Sequence, residues 1–204
     1  MGELVITTFV TLDGVMQAPG GPDEDHDAGF QHGGWQAPFF DDTSSARVFE
    51  TYTKADALLL GRRTYEIFAS YWPTARADNP FTQRINALPR YVASRTLDEA
   101  GWPGTTILDG DLAGEVRALK ERHATIIVPG SSDLIQSLLR EELADRIEVF
   151  LHPIALGEGK RLFGDGTVPA AFRLTESATF DQGVALLSYE RAGRPAYGDA
   201  TELD

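Results

Sequence analysis

Short apolar runs broken by glycine and proline recur over about 140 residues, with stretches of helical spacing between them. Leu4 to Val10 (LVITTFV) is β-branched and aromatic, which predicts a strand ending in the turn signal Thr11-Leu12-Asp13-Gly14. Residues 17–41 have no period. A loop this long in a compact chain is usually functional or disordered. Phe30, Trp35, Phe39 and Phe40 argue against simple disorder, because aromatic side chains seek burial. Asp42-Thr43-Ser44-Ser45 supplies N-cap candidates for a helix to Lys54, with Val48, Phe49 and Tyr52 on one side. A strand at 57–60 runs into a helix at 63–70, which Trp72-Pro73 ends. A short helix is expected at 81–87 inside an irregular stretch. Strands at 90–94 and 105–108 follow, then an amphipathic helix at 112–122 and an apolar strand at 125–128 that reads as central. Pro129-Gly130-Ser131-Ser132 turns into a helix at 133–140. The remainder predicts strands at 145–151, 172–180 and 184–191, the last two joined by the hairpin turn Asp181-Gln182-Gly183.

Strand and helix alternate first, and strands alone follow. This predicts an α/β fold with a mixed, mostly parallel central sheet, antiparallel strands at its C-terminal end and helices on both faces. No internal repeat or linker interrupts the pattern. Residues 1–191 therefore read as one domain and 192–204 as a polar, mobile tail.

Composition narrows the class. The net charge is −13, from 18 basic and 31 acidic residues, which argues against nucleic acid and anionic membranes as partners. There is no cysteine, so disulfides, thiolate chemistry and cysteine-based metal sites are excluded, and a reducing cytoplasm is the expected compartment. The N-terminus lacks the basic and apolar regions of a signal peptide. No apolar run reaches the roughly 18 residues that span a membrane.

Three turns carry candidate chemistry. Gly61-Arg62-Arg63-Thr64 opens a helix directly after an apolar strand. Helix starts have unpaired N–H groups and a dipole that favours anions, and arginines fork onto phosphate oxygens. The plainer alternative is a solvated helix start. Gly130-Ser131-Ser132 is a second such start, suited to a pyrophosphate or simply an ordinary serine cap. Ser94-Arg95 ends a third strand and suits a phosphate on a ribose 2′-oxygen, or is an ordinary surface pair. In open α/β sheets ligands gather outside the carboxyl ends of strands, so one dinucleotide could touch all three turns. Gly157-Glu158-Gly159-Lys160-Arg161-Leu162 has leucine where a dinucleotide fingerprint needs its last glycine, and no P-loop occurs. Asp23, Glu24, Asp25, His26 and Asp27 read as a solvated loop rather than a cation site. No metal site is expected. Trp35, Phe39, Phe49, Trp72 and Phe163 could stack on a flat ring or belong to the core.

In their order along the chain, the GRRTYE turn at 61–66, Ser94-Arg95 and the PGSS turn at 129–132 resemble the dihydrofolate reductase superfamily. Asp145 and the HPIALGEGKRLF stretch at 152–163 resemble the branch that holds the reductase domain of bacterial riboflavin biosynthesis (RibD C-terminal domain). The resemblance covers about residues 3–191. It implies a three-layer dihydrofolate reductase-like fold, a homodimer paired through late strands such as 145–151, and NADPH as cofactor. By the motif, Gly61, Arg62, Arg63 and Thr64 would hold phosphates and the adjacent ribose. Ser94 and Arg95 would meet the 2′-phosphate, and Gly130, Ser131 and Ser132 the pyrophosphate. The Leu12-Asp13-Gly14 turn would border nicotinamide and substrate. Two departures stand out. Folate reductases have a cis-linked Gly-Gly pair where this chain has Gly130-Ser131. Their substrate acid follows a Trp near the first helix, a position that Asp41 or Asp42 could fill.

The leading expectation is an NADPH-dependent reductase of a flat heterocycle of pterin, flavin or ribosylaminopyrimidine type. Asp41 is the first candidate proton source and Asp13 the second. Gly14, Trp35, Phe39, Phe49 and Trp72 are candidate substrate contacts. A non-catalytic NADPH-binding sensor and a structural dimer are the alternatives.

Overall fold

The computed structural model describes residues 1–199. The last part of the expected mobile tail, 200–204, lies outside the described residues. The strands are β1 (Glu3–Thr11), β2 (Ala57–Gly61), β3 (Arg90–Ala93), β4 (Thr105–Leu108), β5 (Thr125–Val128), β6 (Arg146–His152), β7 (Ala171–Thr179) and β8 (Ala185–Gly193). The helices are α1 (Asp42–Lys54), α2 (Arg62–Tyr71), α3 (Pro80–Ala87), α4 (Leu112–Arg122) and α5 (Ser132–Arg140). The 17–41 segment holds two short 3-10 turns, Asp27–Gly29 and Ala37–Phe39. β8 runs to Gly193, two residues into the segment expected as tail.

The strands form one eight-stranded sheet in the order β4-β3-β2-β5-β1-β6-β8-β7. β1 to β6 are mutually parallel, so their carboxyl ends open on one edge. β8 runs antiparallel to both β6 and β7. As expected, β5 is internal, between β2 and β1. The expectation that strand 145–151 pairs across a dimer fails. β6 is hydrogen-bonded on both sides, to β1 and β8, and the free edge on that flank belongs to β7.

Side chains alternate across the sheet, and both faces are covered. Leu4, Ile6, Leu59, Ile126 and Val128 pack with Val116 and Leu119 of α4 and Leu134, Ile135 and Leu138 of α5. Val5, Leu58, Leu60, Val92 and Ile127 pack with Tyr52 of α1, Tyr65 of α2 and Ile85 of α3. Two arginines finish helices from outside. Arg84 donates from Nε to the Tyr52 carbonyl at 3.1 Å and from Nη2 to the Thr53 and Ala55 carbonyls at the end of α1. Arg90 is buried, lies 4.0 Å from the Trp102 ring, and donates to the Ile85, Asn86 and Leu88 carbonyls at the end of α3. Both place a cation at the negative end of a helix dipole.

Candidate active site

Three helix starts carry a side-chain cap. Asp41 accepts from Ser44 N at 2.7 Å for α1, Asn79 from Phe81 N at 2.8 Å for α3, and Asp111 from Gly114 N at 2.9 Å for α4. Among the described residues, α2 and α5 have none, although Ser131 is a residue type that usually caps. These two uncapped starts meet. Gly61 N donates to the Gly130 carbonyl at 2.9 Å. A Cβ on Gly61 would overlap the Ser131 hydroxyl and stand 2.8 Å from Ser131 N. A Cβ on Gly130 would stand 2.7 Å from Thr64 Oγ1. Gly61 is thus required for the close approach to Ser131 backbone, and Gly130-Ser131 is joined by a cis peptide. Free N–H groups from two helices, bare glycine surfaces and the Ser131 hydroxyl fit a pyrophosphate.

The third turn lies beside the first. Gly61 is the register partner of Ala93, the residue before Ser94. Neighbouring strands are about 4.8 Å apart, so the turns after β3, β2 and β5 fall within roughly 10 Å. The Ser94 hydroxyl accepts from Thr96 N at 3.2 Å and Leu97 N at 3.0 Å, which fixes the backbone around Arg95. Arg95 is exposed and, among the described residues, has no ion-pair partner.

The arginines of α2 are engaged. Arg62 pairs with Glu66 at 3.0 Å. Arg63 Nη2 reaches Asp27 Oδ1 at 2.6 Å, with Glu66 Oε2 at 3.7 Å from its Nη1. Lys160 Nζ holds Asp27 Oδ2 at 2.8 Å and Asp25 Oδ2 at 2.7 Å. Hydrogen bonds from Lys160 and then Arg63 hold the Asp27 carboxyl down at about 2. The acidic run at 23–27 is therefore more than a solvated loop, because two of its carboxylates bind the cations that join it to α2 and to the 157–162 turn. No cluster able to hold a metal occurs among the described residues. The sequence reading treated Asp25 and Asp27 as solvated and gave Lys160 no partner. The available signal was the pairing of an acidic run with a lone Gly-Lys-Arg.

Both acids expected as proton sources have other work. Asp41 is the α1 cap, and Thr43 Oγ1 and Ser44 N lower its pKa. Asp13 ties the β1 turn to the 156–157 backbone. It accepts from Thr11 Oγ1 at 2.6 Å, Gly157 N at 2.7 Å and Leu156 N at 3.1 Å, and the Thr11 hydroxyl leads in holding its carboxyl at about 2. Hydrogen bonding thus favours the ionised form of both carboxylates.

The aromatic candidates separate. Trp35 is core. It is buried, and its Nε1 donates to the Gln17 carbonyl at 2.7 Å. Trp35, Phe39 and Phe9 stand edge-on around buried His152, whose pKa is lowered by burial. Phe49 and Trp72 both pack on Phe81 of α3. Trp72 follows α2, a helix of 10 residues, and so stands about 15 Å from that helix's start. Of the expected substrate contacts, Gly14 and Phe39 stay at the carboxyl edge. Gly14 has φ +82°, and its carbonyl accepts from Leu162 N at 3.0 Å.

This sheet order, with two uncapped helix starts meeting at the carboxyl ends of β2 and β5, is that of a dihydrofolate reductase-like α/β protein. Dihydrofolate reductase from Enterococcus faecalis, solved with NADP(H), superposes with a TM-score of 0.58 at 15% identity, over 94% of this chain and 97% of that one. The chain belongs to the RibD C-terminal domain family, whose model matches residues 3–186. A deaminase/5-amino-6-(5-phosphoribosylamino)uracil reductase from Thermotoga maritima superposes with a TM-score of 0.62 at 18% identity, over 94% of this chain and 57% of that one. In sequence the chain is 26% identical to the uncharacterised protein YyaP of Bacillus subtilis (strain 168), over 94% of this chain and 96% of that protein. No helix among the described residues is long and apolar enough to cross a membrane.

Proposed function

We propose that this chain is an NADPH-dependent reductase that delivers hydride to a flat heterocycle of pterin, flavin or ribosylaminopyrimidine type. The observation that carries the reading is the meeting of two uncapped helix starts, joined by Gly61 N to the Gly130 carbonyl at 2.9 Å. Gly61, Arg62, Arg63 and Thr64 of one start, with Gly130, Ser131 and Ser132 of the other, bind the pyrophosphate and adjacent ribose. Ser94 and Arg95 take the 2′-phosphate, since a free arginine suits that group and a carboxylate would reject it. NADPH supplies the hydride. The protein's part is to hold the two rings face to face and exclude water, with Gly14 and Phe39 on the ring side. In this reading the proton comes from solvent, since Asp13 and Asp41 both serve as structural hydrogen-bond acceptors. The reductase step in the name of the Thermotoga maritima neighbour is one candidate reaction. The same proposal places the chain in a reducing cytoplasm as a homodimer, with β4 and β7 as the available sheet edges among the described residues.

The test follows NADPH absorbance across a panel of pterins, flavins and pyrimidine-ribitol compounds. Turnover of one of them is the expected result. Saturable NADPH binding with no turnover of any would favour the second reading, a non-catalytic NADPH binder, which the structural commitment of both acids supports. No saturable NADPH binding would defeat both.

A further inference from the structure

The 17–41 segment is organised around buried Gln17. Its Nε2 donates to the Asp25 carbonyl at 3.3 Å and the Asp27 carbonyl at 3.1 Å, and its Oε1 accepts from Lys160 N at 3.0 Å. On the side facing α2 the segment is not closely packed. A cleft of about 430 Å³ separates Glu24, Asp25, His26 and Asp27 from Arg63, Glu66, Ile67 and Ser70. The Asp27–Arg63 ion pair, at 2.6 Å, crosses this cleft.

Arg63 thus offers a guanidinium at the start of α2 and already carries a carboxylate on it. We propose that Asp27 is a built-in competitor for the cofactor phosphates: it occupies Arg63 when the site is empty and yields it when a phosphate arrives. The inference rests on the reading of the α2 start as a phosphate site.

Three features support an exchange over a permanent bracket. Both side chains are about two-fifths exposed, at 42% and 43%, and exposed pairs of this kind are weak. A phosphate brings more charge and more acceptor oxygens than one carboxylate. Glu66 lies 3.7 Å from the other arm of Arg63, so a phosphate joining without displacement would face two carboxylates. Asp27 is not stranded by the exchange, because Lys160 Nζ keeps its Oδ2 at 2.8 Å. The segment therefore stays attached to the 157–162 turn while its bridge to α2 opens.

The test compares the NADPH dissociation constants of the wild type, Asp27→Asn and Asp23→Asn, read by tryptophan fluorescence. Asp23→Asn makes the same charge change on an exposed residue of the same loop, which among the described residues pairs with His26. Asp27→Asn is expected to tighten binding on the order of fivefold, the size expected from removing one nearby charge in partly solvated surroundings, and Asp23→Asn to change it little. A merely structural role for Asp27 would weaken binding, so the direction is diagnostic. Equal or weaker binding by Asp27→Asn overturns the inference and leaves the phosphate site standing. The same tightening in Asp23→Asn also overturns it, by showing a general charge effect. No binding in any of the three defeats the phosphate site and the inference together.

Discussion

Gly61 and Ser131, seventy residues apart in sequence, stand so close that a methyl on Gly61 would be 2.8 Å from Ser131 N and overlap its hydroxyl. The starts of α2 and α5 are therefore one surface. Gly61→Ala should lower stability by about 1–3 kcal/mol and weaken NADPH binding about tenfold, because the colliding partner includes backbone. Gly130→Ala meets the end of the Thr64 side chain, which can turn, so it should be milder in both respects. Thermal unfolding and NADPH titration of the two variants check the order.

Among the described residues, Arg95 has no ion-pair partner. Arg95→Glu should weaken NADPH by at least about tenfold and leave NADH nearly unchanged, since only the former carries the 2′-phosphate. Equal losses for the two cofactors would remove Arg95 from this role.

Asp41 should behave as a helix cap. Asp41→Ala is expected to lower the melting temperature by a few degrees, and Asp41→Asn, which still accepts from the Ser44 amide, to lower it less. Turnover should survive in Asp41→Asn. Loss of kcat with unchanged melting would restore it as the proton donor.

Asp13 gives a pH signature. Its folded-state pKa, about 2, lies below the unfolded value near 4, so its contribution is full above about pH 4 and fades as pH falls through about 2. The melting-temperature gap between wild type and Asp13→Asn should accordingly be constant above about pH 5 and close towards pH 2. A gap that widens in acid would mean the opposite shift.

The fold was legible because the signals were local and repeated. Apolar runs at 57–60 and 125–128 are too short for helices and buried on both faces, so they could only be internal parallel strands. The three candidate turns were legible for a similar reason, since each is a strand end followed by glycine or serine. The ring half was not. Trp35 and Trp72 are equally aromatic in sequence, yet one seals a core with Gln17 and the other packs on α3, and only the long-range fold separates these fates. Asp27 was read as solvated because its partners, Arg63 and Lys160, are distant in sequence. The strand at 145–151 was expected at a dimer contact from the resemblance alone, and a strand's own sequence does not say whether both its edges are hydrogen-bonded.

The central claim is that the starts of α2 and α5 form one phosphate cradle. A two-dimensional amide NMR spectrum titrated with NADPH tests it most directly. The amides of Arg62, Arg63, Thr64, Ser131, Ser132 and Asp133 should shift most, together and with a single saturating curve. Saturable shifts confined to other residues, or no saturation at all, would contradict it.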